Sequence, residues 1–204
     1  MSQYTTKPGY WEYSRGLVFD RDKVIGDVKR NYGRFAFGWA EGHANGHDYL
    51  LCGEDYQGQT VIELDTAARS DYIPACAEEG IGFCCVDYYP SPDRRTIVIS
   101  GCIWACPNDL VFCRFDQPMS LPWPVLTRLG EVGPVVGWTD KGFEYRFSRL
   151  VRLSDMMILD DLATADMDEA LGHDERAAGK LHRQCLWVSE METLTLSERI
   201  VPHS

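Results

Sequence analysis

Two histidines and an aspartate crowd into one short stretch, His43-Ala44-Asn45-Gly46-His47-Asp48. These residue types ligate zinc or iron, or serve as a general base. A spacing of four puts both imidazoles on one face only if the segment is helical, and Asn45-Gly46 marks a tight turn instead. The trio defines one candidate chemistry, a metal-dependent hydrolase built on His43, His47 and Asp48 with Asp87 as a second carboxylate. The eight cysteines are a second source of ligands. Cys102-Ile103-Trp104-Ala105-Cys106 places three residues between its cysteines where zinc knuckles have two, so these thiols, with Cys84, Cys85 and Cys113, read as packed side chains. Whether Cys102 and Cys106 pair is left open.

Aromatic rings beside carboxylates supply a different chemistry, the capture of a sugar, a cation or a peptide. Glu54, Asp55 and Tyr56 sit in one loop, and Trp104 takes the equivalent place in a later one, so these side chains are expected at one end of a sheet. Tyr88 and Trp123 are added as candidate binding rings. No phosphate-cradling glycine loop, Gly-x-Ser-x-Gly elbow, His-Glu-x-x-His helix or EF-hand loop occurs. The residues therefore assign no catalytic group and no cofactor.

The elements that must position these groups are short strands. Tyr49-Leu50-Leu51-Cys52-Gly53, a loop and Thr60-Val61-Ile62-Glu63-Leu64-Asp65 form one hairpin. Thr96-Ile97-Val98-Ile99-Ser100-Gly101, a loop and Leu110-Val111-Phe112-Cys113-Arg114-Phe115-Asp116 form another. Gly53 and Gly101 lie 48 positions apart, and Asp65 and Asp116 lie 51 apart, a period typical of β arrays. Gly58 is expected to supply the positive φ of the first hairpin turn. Tyr10-Trp11-Glu12-Tyr13 and Gly16-Leu17-Val18-Phe19-Asp20 read as earlier strands, and a third hairpin is expected at about 132–150, turning at Thr139-Asp140-Lys141-Gly142. Met167, Ala170, Leu171, Ala178, Leu181 and Cys185 recur at helical spacing, which predicts a short helix at about 166–183.

Phe83-Cys84-Cys85-Val86-Asp87-Tyr88-Tyr89, the turn Ser91-Pro92-Asp93, and the strands of the second hairpin resemble the blade pattern of TolB-like and WD-type β-propellers. In that pattern a Ser-Pro-Asp-Gly turn precedes an apolar strand, and here Arg94 stands where Gly is usual. The resemblance covers about residues 83–117 well and 35–66 less well. It implies blade-like hairpins and nothing about activity. A closed propeller needs at least four blades, so an incomplete propeller, a β-sandwich and a homodimer that completes the sheet are the architectures it leaves open.

At 204 residues the chain suits a single mainly β domain over 1–204 with a real core. Its net charge of −11 opposes binding to nucleic acid. Residues 1–35 carry seven Lys/Arg against four Asp/Glu, so the acid excess lies in the rest. No stretch of eighteen apolar residues and no apolar leader is present, so the chain reads as soluble and cytoplasmic with reduced thiols and no membrane partner. The functional expectation is a non-enzymatic binding module. Its loop ends recognise an unknown protein or a small-molecule or carbohydrate ligand.

Overall fold

The computed structural model describes residues 3–8, 15–29, 36–54, 57–75, 83–103, 108–152 and 185–195. The helix expected at about 166–183 and the strand Tyr10-Trp11-Glu12-Tyr13 lie outside the described residues. The protein is mainly β, as its composition and alternation indicate. Among the described residues the elements are β1 (Tyr4–Pro8), β2 (Arg15–Asp20), β3 (Lys23–Lys29), β4 (Ala36–Ala40), β5 (Tyr49–Glu54), β6 (Gly58–Glu63), β7 (Arg69–Tyr72), β8 (Cys84–Pro90), β9 (Thr96–Cys102), β10 (Asn108–Arg114), β11 (Val125–Thr139), β12 (Gly142–Arg152) and β13 (Cys185–Leu194). They gather into two compact units, Met1–Glu131 and Val132–Thr195.

In the first unit β1-β2-β3 is a three-stranded antiparallel sheet and β4-β5-β6-β7 a four-stranded meander. The order β8-β9-β10 makes a second meander, continued by the start of β11. The meander β4–β7 is covered on both faces, which explains why β5 reads Tyr-Leu-Leu-Cys without polar interruption and is buried throughout. Tyr49, Leu51 and Val61 pack with Phe83, Val86, Ile97, Ile99, Val111 and Phe115 of the β8–β10 side. The alternate residues Leu50, Cys52 and Ile62 pack with Val18 and Val28 of the N-terminal sheet. Period-two alternation thus feeds two cores from one strand.

Two contacts fix the spacing of these layers. A Cβ built on Gly38 of β4 would lie 2.5 Å from Cβ of Tyr88 on β8, so only a glycine lets the two strands approach this closely. On the opposite face a charge network ties the N-terminal sheet to the meander. Arg69 of β7 places Nη2 3.2 Å from Oε1 of buried Glu54, bonds both Asp71 carboxylate oxygens through Nε at 2.8 Å, and donates from Nη1 to the Asp27 carbonyl of β3 at 2.6 Å. Thr60 donates to Glu54 at 2.8 Å and also meets Asp71, and the Lys29 amide reaches Glu54 at 3.4 Å. The hydrogen bond to Asp71 raises the Arg69 pKa further, and burial of Asp71 is outweighed by Arg69 and Thr60, which hold its carboxyl below the usual range.

Turn chemistry follows the residues with two corrections. In the β5–β6 loop the left-handed position belongs to Gln57, at φ 62°, and Gly58 already begins β6. In the β8–β9 turn Arg94 itself takes φ 60°, the conformation that Gly would adopt there without strain. The turn holds it through Arg94 N to Ser91 O at 2.9 Å, while its guanidinium donates to the Glu41 carbonyl at 2.9 Å and to Ser91 O at 2.8 Å. Ser91 Oγ donates to Asp93 at 2.6 Å and accepts from the Thr96 amide at 3.0 Å, closing the Ser-Pro-Asp turn.

The second unit pairs β12 with the end of β11 and with β13. Its β11–β12 turn runs through Thr139-Asp140-Lys141-Gly142. Gly142, at φ 141°, lies so near the Leu194 carbonyl that a Cβ would come within 2.5 Å of its oxygen.

Two substitutions test this frame. Gly38→Ala is expected to cost about 1–3 kcal/mol by forcing β4 and β8 apart; a denaturant midpoint equal to that of the parent would show that the sheets are not so closely packed. Arg69→Ala leaves Glu54 buried without its cation, which for a fully buried pair costs about 3–5 kcal/mol. Because Arg69 is one-third exposed, the expected loss is nearer ~2 kcal/mol, and an unchanged midpoint would dismiss the network as a structural tie.

Candidate functional site

The register of the first hairpin builds the site. Tyr49 stands opposite Glu63, and the ladder runs one step further through Leu64 N to Asp48 O at 2.9 Å. The next positions along the same diagonal are His47 and Asp65. Glu63 and Asp65, two residues apart, therefore face the side on which His47 emerges. His47 donates from Nδ1 to Asp65 Oδ2 at 2.8 Å, and Glu63 Oε1 lies 3.9 Å from the same nitrogen.

Glu63 is held from behind. Tyr49 donates its hydroxyl to Glu63 Oε2 at 3.2 Å, Thr66 donates to Oε1 at 2.6 Å, and Asn45 Nδ2 donates to the Tyr49 oxygen at 2.7 Å. Asn45 Oδ1 accepts from the His47 amide at 3.3 Å and faces Nδ1 of His43 at 2.7 Å. Asn45, His47, Tyr49 and Glu63 line one flank of an open cleft of about 390 Å³. The other flank is the loop after β10, with Asp116, Gln117 and Ser120. A second depression of about 450 Å³ shares the same three residues and adds Arg114, Leu121 and Pro122. Asp116 is itself paired, 3.4 Å from Arg95 and 4.0 Å from Arg114.

The histidines expected to act together have different fates. His43 is buried, with Nε2 donating to the Phe115 carbonyl at 2.8 Å and its ring edge-on to Tyr49 and Phe115. It fastens the β4–β5 loop to the end of β10. Asp48 accepts the Gly42 amide at 2.7 Å, which closes the start of the same loop. The trio His43, His47 and Asp48 does not converge, because Gly42 at φ 68° and Gly46 at φ 89° curl the segment into turns and send its side chains in separate directions. Only His47 reaches the cleft.

The binding residues read from the sequence separate in the same way. Glu54 lies inside the Arg69 network, and Tyr88 and Trp123 are buried, 8% and 2% exposed. Their rings stand edge-on at 6.5 Å, and Trp123 donates from Nε1 to the Pro118 carbonyl at 2.9 Å. Burial pushes the Tyr88 phenol well above its ordinary pKa. These three side chains serve packing, not an exposed recognition surface. Asp55, Tyr56, Trp104 and Cys106 lie outside the described residues. Cys52 and Cys113 are buried thiols whose pKa values burial raises, which disfavours the thiolate a metal needs.

Glu63, Asp65, Asp116, Gln117 and Ser120 were not among the residues singled out for chemistry. The signal that leads to two of them is the repeat itself, since Asp65 and Asp116 each stand two residues beyond the last residue of a corresponding strand, β6 and β10. A pH experiment checks the electrostatics. The hydrogen bond to Asp65 raises the His47 pKa above 6.5, and the same bond lowers that of Asp65 below 3.8. The raised imidazole contributes fully below pH 6.5 and loses its contribution as pH rises through the folded value; the depressed carboxyl contributes fully above pH 3.8 and loses its contribution as pH falls through its own. The pair is therefore strongest between these limits. NMR titration of the His47 ring is expected to show a midpoint above 6.5 that Asp65→Asn returns toward 6.5; a midpoint insensitive to Asp65→Asn would break the pairing.

No protein-family model matches the chain. It is similar to an uncharacterised protein of Acanthamoeba polyphaga mimivirus, 29% identical over 120 residues, which cover 58% of this chain and 46% of that protein. The match spans a little under half of that relative's length. No helix among the described residues is long and apolar enough to cross a membrane.

Proposed function

We propose that this protein is a non-catalytic binding module whose recognition surface is the open cleft between the β5–β6 hairpin base and the loop after β10. The four-stranded meanders act as propeller-blade-like frames that present these chain ends, in keeping with the Ser-Pro-Asp turn. The observation that carries the reading is the lining of the cleft. Glu63 and Asp116 face a space with no lysine or arginine among its described lining residues. A chain of net charge −11 adds a long-range field of the same sign.

The ligand that fits is a cationic group on a polar carrier, such as a lysine or arginine side chain of a partner peptide. Gln117, Ser120 and Asn45 supply hydrogen-bonding groups around the charge. Loops on a rigid sheet are the usual place for such recognition. The thiols of Cys52, Cys84 and Cys113 fit a reducing, cytoplasmic setting.

Titration calorimetry with lysine- and arginine-rich peptides against acidic ones of equal length tests the reading. Binding is expected only for the basic set and should weaken with salt. Ser120→Trp, which puts a bulky ring at a residue lining the cleft, is expected to abolish it, and Asp116→Asn to weaken it about tenfold, the equivalent of about 1.4 kcal/mol. Equal binding of acidic peptides, or binding indifferent to Ser120→Trp, would dismiss the cleft.

A further inference from the structure

We propose that His47, Glu63 and Asp65 form a site for a divalent transition-metal ion at the rim of this cleft. One ligand atom from each residue can be chosen so that all three lie within 4.8 Å of one another. The closer distances set the fit. Two donors each about 2.1 Å from a shared tetrahedral ion stand about 3.4 Å apart. The observed separations from His47 Nδ1, 2.8 Å to Asp65 and 3.9 Å to Glu63, straddle that value. Closing on an ion requires Asp65 to retreat and Glu63 to advance by about half an ångström each, within the reach of side-chain rotation.

The surroundings suit ligation. Ligating carboxylates are oriented by hydrogen bonds from a second layer of residues, and Glu63 receives such bonds from Tyr49 and Thr66, with Asn45 steadying Tyr49 in turn. The two carboxylates and the imidazole arise from adjacent positions of one hairpin, so the cluster does not depend on a flexible linker. His47 and Asp65 keep 36% and 48% of their side-chain surface exposed, so the remaining coordination positions are open to solvent. An imidazole with two carboxylates and no thiolate matches zinc, manganese or ferrous iron and is a poor match for magnesium, which prefers an all-oxygen octahedron, or for cuprous copper, which prefers sulfur.

The site goes beyond the peptide reading and stands on its own three side chains. The test uses the full, tag-free chain and manganese, which thiols bind poorly. Electron paramagnetic resonance of free Mn²⁺ is expected to show about one ion bound per chain. His47→Ala and Asp65→Asn are each expected to weaken binding by at least about tenfold, with circular dichroism unchanged because both side chains are partly exposed. Zinc followed by calorimetry is expected to behave alike. No bound manganese, or binding that survives both substitutions, overturns the site. A protein that takes basic peptide and no ion overturns the metal site alone, one that takes the ion and no basic peptide overturns the cleft reading alone, and one that takes neither overturns both.

Discussion

The approach of β4 to β8 at Gly38 is the constraint on which the cleft depends. Because no Cβ intervenes, Tyr88 sits directly against the β4 backbone, and the layer between the two meanders is filled by Tyr49, Phe115 and Trp123. Phe115 and Trp123 stand edge-on at 5.1 Å. His43 joins this stack and bonds the Phe115 carbonyl, so the β4–β5 loop and the exit of β10 are held at a fixed separation. The two flanks of the cleft belong to these neighbouring segments. A small residue in one strand thus sets a distance at the open end of two sheets, through packing that has little freedom to yield.

The meander β4–β7 is anchored by different physics on its two faces. Toward β8–β10 the contact is apolar and aromatic. Toward the N-terminal sheet Val18, Val28, Leu50, Cys52 and Ile62 make an apolar contact bordered by the buried Glu54 carboxylate. A carboxylate without partners is costly in such a place, and Arg69, Thr60 and the Lys29 amide supply them. Since Arg69 also bonds the Asp27 carbonyl of β3, satisfying one buried charge also sets where the N-terminal sheet lies. The forked guanidinium adds a directional constraint to the apolar packing.

Polar groups at the opposite end remain within reach of water, and there the same residue types behave differently. Glu54 and Glu63 close opposite ends of the β5–β6 hairpin; one is enclosed by its cation and the other lines a cleft. His43 and His47 are four residues apart, yet one is a buried fastener and the other a half-exposed partner of Asp65. What distinguishes each pair is the layer into which the backbone turns them.

The sequence by itself determined the mainly β class and the local hairpins. Alternation, β-branched runs and the glycine and proline turns specify β5–β6, β9–β10 and the Thr139–Gly142 turn, because short loops join each pair of strands. Only the tertiary structure decided the site. Whether Tyr88 and Trp123 face a ligand or a core depends on a second sheet whose distance is set at Gly38, and the fate of His43 depends on a carbonyl 72 residues away. His47 meets Asp65 through hairpin register, eighteen residues apart, and period-two alternation alone does not say which strand lies opposite. Local preferences are written residue by residue; the convergence of side chains is a property of packed layers.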